Sequence, residues 1–240
     1  MSPELLTILM FGSFVLLLIL GVPLAWTTSS VGLIFGFLLY GPNSLNVILF
    51  RIWETLNSFS LIAIPLFVFM GNMLQYSGIS EGLFKAIYVW LGPIRGGLAA
   101  ATIIMCTILA AMLGTVGADV TITGLMALPF MLQRKYDKHL ALGCITAGGA
   151  LGVLIPPSIM FVVYGVTVGE SIGKLLIGGV VPGLLLSSLY IIYILVKCYL
   201  QPEAGPAAPT EERSLTFGQK LALLKGLTLP ILLIIGVIGS

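Results

Sequence analysis

Asp119 is the one acid inside a strongly apolar stretch after Glu4, and it follows Gly114-Thr115-Val116-Gly117-Ala118. Further along, Gly148, Gly149 and Gly152 lead into Pro156-Pro157-Ser158. A carboxylate held in lipid is expensive and by default marks a binding function, for a cation or a proton. An Asp just ahead of a helix is equally a good cap for its unpaired N–H groups, and the two roles can coexist. The glycines and prolines matter for the backbone they interrupt. A helix that stops exposes carbonyl oxygens that attract a cation, and a helix that restarts exposes amides that attract an anion. That chemistry is binding rather than bond-making. His139 is the single histidine, beside the basic "QRKYDKH", and reads as an interfacial residue. No nucleophile with a partnered base, metal-ligand spacing or phosphate-cradling motif accompanies it, which argues against an enzyme.

The elements that must carry these residues are membrane helices. Of 240 residues, 58% are hydrophobic and 8% charged, against roughly a quarter charged in soluble domains. The net charge of +2 gives no reason to expect a nucleic-acid partner. Cys106, Cys144 and Cys198 lie in or beside apolar segments without paired spacing, and read as buried inert thiols rather than a disulfide or zinc framework.

Spans need about 20 apolar residues. Leu5–Leu20 and Val22–Tyr40 fit two spans around a "GVP" turn, followed by a more polar segment at Asn46–Asn57. There Arg51 and Glu54 either pair one turn apart or face a partner. Leu61–Tyr76 reads as a span kinked at Pro65, and "SGISEGLFKAIYVWLGPIRGG" as an amphipathic helix lying on the membrane surface. Gly96–Leu132 is too short for two full spans. Split at Gly114–Asp119, it leaves a second arm, Val120–Leu132, of 13 residues, so the expectation is a re-entrant hairpin with a Gly-rich tip. Such backbone is tolerated at depth only inside protein or beside a wet cavity.

Leu140–Gly169 runs 30 residues without a charge, or about 45 Å as a helix. The residue before a proline leaves the helical region, so the helix should end near Gly152, cross "VLIP" extended, and restart around Pro157–Ser158. A proline kink made only for packing is the plainer alternative. Two discontinuous elements meeting in the membrane are how many secondary transporters build their sites. A channel, or a structural subunit without its own transport site, are the competing functions. Leu175–Val196 is the next span, and "KCYLQPEAGPAAPTEERSLTFGQK" a solvent linker. The apolar run from Gly226 to Ser240 is short for a crossing, so it is either a tail dipping into the membrane or, the favoured reading because nothing polar closes it, part of a longer protein. Arg95, Arg134, Lys135, Lys138, Lys197, Arg213, Lys220 and Lys225 are expected on the cytoplasmic side, with the N-terminus.

"AAMLGTVGADVTITGLMALPFMLQRKYDKHLALGCITAGGALGVLIPPSIMFVVYG" (Ala110–Gly165) closely resembles the large membrane subunit of tripartite ATP-independent periplasmic (TRAP) transporters, as do "IPLFVFMGNML" and "GVPLAW". The likeness runs over essentially the whole chain, in a family whose members are nearly twice as long. It implies an all-α polytopic membrane protein with an ion-transporter-superfamily-like elevator fold, this chain being the first of two inverted repeats. The implied plan is scaffold helices over 1–60, a kinked span and arm helix over 61–95, and a transport region over 96–169. An arm and scaffold span over 170–200, a cytoplasmic linker over 201–225 and the start of the second repeat over 226–240 complete it. The implied function is a sodium-driven importer of organic acids in the cytoplasmic membrane of a bacterium or archaeon. Its partners would be a small four-helix membrane subunit and a periplasmic substrate-binding protein. It would use no cofactor beyond Na+ as coupling ion. The family's first sodium site maps onto Gly114, Thr115, Gly117, Asp119, Gly149, Gly152 and Pro156, with Thr115 and Ser158 toward the substrate. Many members carry Ser-Gly-Ser at the tip, where this chain has Leu113-Gly114-Thr115; fewer hydroxyls shift coordination onto backbone carbonyls, Thr115 and Asp119.

Overall fold

The computed structural model describes residues 3–207 together with Gly236. The ordered elements among them are all helical, and they divide into two compact units, one ending at Phe59 and one beginning at Ser60. The expected start of a second repeat, and Arg213, Lys220 and Lys225, lie outside the described residues.

In the first unit α1 (Pro3–Ile19) packs on α2 (Leu24–Tyr40), and α2 on α3 (Asn43–Leu56). The turn between α1 and α2 needs Gly21 at φ 80°, a conformation that costs little only without a Cβ. Pro23 then sits just ahead of α2. Thr27 is fully buried, and its Oγ1 donates to the carbonyls of Val22 (3.3 Å) and Pro23 (3.2 Å). Arg51 and Glu54 do pair, at 3.0 Å on an exposed face of α3.

The second unit holds α4 (Ala63–Tyr76), α5 (Ile79–Leu91), α6 (Gly97–Leu113), α7 (Val116–Gln133), α8 (Lys138–Leu154), α9 (Ile159–Val168) and α10 (Ile172–Leu200). Pro65 does not kink α4. It is the third residue of the helix, in the first turn, where a missing N–H breaks no intrahelical bond. On α5, Leu83, Phe84 and Ile87 are buried in the core shared with α6.

Helix α6 is apolar all round, and it is correspondingly the central element. Ala99, Ala101, Ile103, Met105 and Cys106 are fully buried, with α4, α5, α7, α8 and α10 around it. The outer faces are inverted relative to a soluble protein: Leu125 is 75% and Val181 71% exposed. Helices α7 and α10 are long and apolar enough to cross a bilayer singly, and α8 with α9 as a bent pair. The chain is a multi-pass membrane protein, with only helices as regular elements among its described residues.

One end of this unit is fastened. The chain leaving α10 turns through Pro202–Ala204, and Gly205 O accepts from Gly96 N–H (2.9 Å) while Ala204 O accepts from Asp137 N–H (3.1 Å). Tyr136 Oη accepts from Leu98 N–H at 3.3 Å. Burial pushes the Tyr136 phenol up to about 12, so it stays neutral across working pH. The entry to α6, the α7–α8 turn and the end of α10 therefore share one end, and with them Arg95, Arg134, Lys135, Lys138 and Lys197. Residues 202–205 are thus docked, where a solvent linker was expected. Ala204 and Gly205 are small enough to be buried there, and a Cβ on Gly205 would meet Cys198 Sγ at 2.6 Å.

Helix α10 is longer than expected, 29 residues, and it reaches the core through two glycines. A Cβ on Gly179 would fall on the Phe161 ring and the Leu154 carbonyl, and one on Gly183 would meet Ile155 Cγ1 at 2.6 Å. Gly179→Ala is expected to destabilise by about 1–3 kcal/mol through overpacking. Gly178→Ala, with open space at its Cβ, should not. Thermal unfolding of the full-length permease in detergent checks the pair, and equal midpoints would remove the close approach of α10.

Candidate functional site

Helices α6 and α8 both leave the fastened end and both run 17 residues, about 26 Å at 1.5 Å per residue. They therefore stop at a matching height, and the two interruptions meet. Gly114 ends α6 in the left-handed conformation (φ 64°), Thr115 is extended, and α7 begins at Val116. On the other side α8 ends at Leu154, Ile155 and Ser158 are extended, and α9 restarts at Ile159. The axes of α8 and α9 differ by 40°, and the Pro156-Pro157 bond is cis. The break lies two residues later than expected, because a helix continues through Gly152 until a proline denies it the next N–H.

Contact between the two is close. Gly114 O accepts from Ile159 N–H at 3.4 Å, and a Cβ on Gly114 would fall on the Pro157 carbonyl oxygen. A Cβ on Gly152 would stand 3.2 Å from the Thr115 carbonyl, and one on Gly149 would strike Val120. Gly149, Gly152 and Gly114 are the flat surfaces that let the tip lie on α8 and on the break. Pro156 is buried in the break itself. From the opposite side α10 covers the break through Gly179 and Gly183, and Thr107 and Ser187 hydroxyls at 2.7 Å tie α6 to α10. Gly71 of α4 lies against Leu113.

Two polar side-chain atoms here are buried without a partner among the described residues. Ser158 is fully buried at the start of α9, yet its Oγ makes no hydrogen bond, although a Ser in that position ordinarily accepts from the first-turn amides. Asp119 is also fully buried. Its Oδ1 accepts from Thr123 Oγ1 at 3.4 Å, Cys106 Sγ lies 3.4 Å from the same hydroxyl, and its Oδ2 has no partner. Buried polar atoms are nearly always satisfied, and an orphaned one in a native fold points to something that completes it.

Several expectations are corrected. The tip is two residues, Gly114 and Thr115, rather than the six of Gly114–Asp119. The arm after it is 18 residues rather than 13, with Pro129 inside the helix, so it is not too short to span. Asp119 is not a helix cap: Thr115 holds that place, and Asp119 lies in the first turn of α7. Gly117 is exposed with open space at its Cβ, and is not brought to the break. Cys106, Cys144 and Cys198 are buried and unpaired, and among the described residues no cluster of His, Cys, Asp or Glu could hold a metal ion. Gly179 and Gly183 were missed, although "GGVVPG" carries the small-xxx-small spacing that lets membrane helices approach.

A membrane chain that sets a hairpin tip against a broken helix has the organisation of a transporter component. The family model for the "Tripartite ATP-independent periplasmic transporter, DctM component" matches residues 11–240, and the chain belongs to that family. It is 37% identical, over 66% of its length, to the C4-dicarboxylate TRAP transporter large permease protein DctM of Pseudomonas aeruginosa, covering 37% of that protein. It is 34% identical, over 96%, to the isethionate TRAP transporter permease protein DctMQ of Oleidesulfovibrio alaskensis, covering 36% of it. The ectoine TRAP transporter large permease protein TeaC of Halomonas elongata is 28% identical over 98% of the chain, with 55% of that protein covered. The chain thus spans about half, or less, of the length of these relatives. They are transporter permeases rather than enzymes.

Proposed function

We propose that this chain forms the first transport half of the large permease subunit of a secondary active importer, driven by a sodium gradient. The tip–break contact supports this reading, with Ser158 Oγ and Asp119 Oδ2 buried and unpartnered near the two helix interruptions. Carbonyls at the ends of α6 and α8 carry partial negative charge and suit a cation. Around it, Gly114, Thr115, Gly149, Gly152 and Pro156 provide the close-packed backbone, and Asp119 the formal charge. The first amides of α9, with Ser158 and Thr115, suit the anionic group of a substrate. The relatives' names give a C4-dicarboxylate, isethionate and ectoine, so a small organic anion, a carboxylate above all, is the substrate class. The protein would work in the cytoplasmic membrane by an elevator movement, with a small membrane subunit and a periplasmic binding protein that delivers the cargo.

The test is uptake of a labelled carboxylate by the full-length permease reconstituted with both partners. Uptake should follow an imposed sodium gradient and fall at least tenfold without it. Uptake that ignores sodium but follows a proton gradient, and is lost in Asp119→Asn, would replace sodium with a proton at Asp119.

A further inference from the structure

We propose that a groove between α6, α8 and α10 is a binding site for one glycerophospholipid, an acyl chain lying along the groove and the phosphate resting on Lys197 and His139. The groove is a cavity of about 520 Å³. Its body is apolar, walled by Ile103, Leu140, Ala147, Leu186 and Tyr190 among others, and Lys197 and His139 are the basic side chains on its lining. Both lie at its fastened end, in the last turn of α10 and the first turn of α8.

Length selects the occupant. The α10 wall runs from Leu186 to Lys197, about 17 Å at 1.5 Å per residue. One leaflet of hydrocarbon is about 15 Å, half of a 30 Å core. A groove one leaflet deep with a basic mouth matches a single lipid, whereas a spanning helix of a partner would need nearly twice the length. Charge agrees with length. Lys197 is half-buried, with its Nζ 5.9 Å from the Tyr193 ring, which orders the ammonium at the mouth. An adjoining cavity beyond carries Lys135, Asp137 and Glu203. Asp137 Oδ1 is engaged, accepting from Leu140 N–H at 2.9 Å. The two acids outweigh Lys135 there, so recognition falls on the phosphate and not on a net negative headgroup. Basic pockets between membrane helices are known to take such headgroups.

The experiment is native mass spectrometry of the full-length permease assembled with its membrane partner, titrated separately with phosphatidylglycerol, phosphatidylethanolamine and diacylglycerol. Both phospholipids should be held at least fivefold more tightly than diacylglycerol, which lacks the phosphate. Lys197→Gln should remove that difference while leaving diacylglycerol binding unchanged. Gly143→Leu should weaken all three, because Gly143 lines the groove with open space at its Cβ, so a larger side chain is directed into it. Its unfolding midpoint, unchanged, verifies that it folds. Equal retention of the three lipids, or retention insensitive to both variants, would overturn the proposal; the latter is what a groove covered by another protein segment would give.

Discussion

Gly114→Ala in the full-length permease is expected to cut the initial rate of substrate uptake more than tenfold. Two independent costs fall on one methyl group. The residue sits at φ 64°, where an L-residue pays about 1–2 kcal/mol. The added Cβ also lands on the Pro157 carbonyl oxygen, which is backbone and has no rotamer with which to yield. Relief requires the tip to lift from the break, which would lengthen the Gly114–Ile159 hydrogen bond and separate the helix ends. Gly117→Ala, three residues on, provides the contrast. It is helical, exposed and uncrowded, and should leave uptake unchanged while raising stability by about 0.5–1 kcal/mol. Wild-type uptake in Gly114→Ala would mean that the tip–break seam has no part in transport.

Asp119→Asn should raise the sodium concentration for half-maximal uptake at least tenfold, about 1.4 kcal/mol of lost cation binding, with little change in unfolding temperature. Asparagine preserves the shape and an oxygen that can accept from Thr123 Oγ1, and it removes only the charge. Asp119→Ala would also orphan the Thr123 hydroxyl and leave a void, so that variant should lose stability as well. Separating the two readouts matters. A change in stability without a change in sodium dependence in either variant would reduce Asp119 to a packing residue of the α6–α7–α8 core.

The break was legible because its cause is local. Two adjacent prolines remove two donors, and no tertiary contact can restore them, so only the point of exit shifted, from Gly152 to Leu154. The tip was legible in place but not in extent. Val116, Gly117 and Ala118 follow a glycine-rich start, yet a single interior glycine weakens a helix by only about 1 kcal/mol, far less than packing against α8 returns. Once the chain leaves Gly114 and Thr115 it is helical, and Asp119 is carried inward instead of capping. The pairing of Arg51 with Glu54 followed from helical spacing alone. Docking of Ala204 and Gly205 had no such signal, because it depends on backbone groups of Gly96 and Asp137 far off in sequence. The approach of α10 was written in Gly179 and Gly183 and hidden by reading that segment only for its greasiness.

Fastening α6 and α8 at one base has a mechanical result. Arms fastened together below, and packed where Gly148 lies against Cys106, cannot slide past one another, so the seam between Gly114 and Pro157 keeps its register. Their equal lengths are then coupled: one added residue in either arm would lift its top about 1.5 Å and swing it about 100°, turning the glycine face of α8 away from the tip it was shaped to receive.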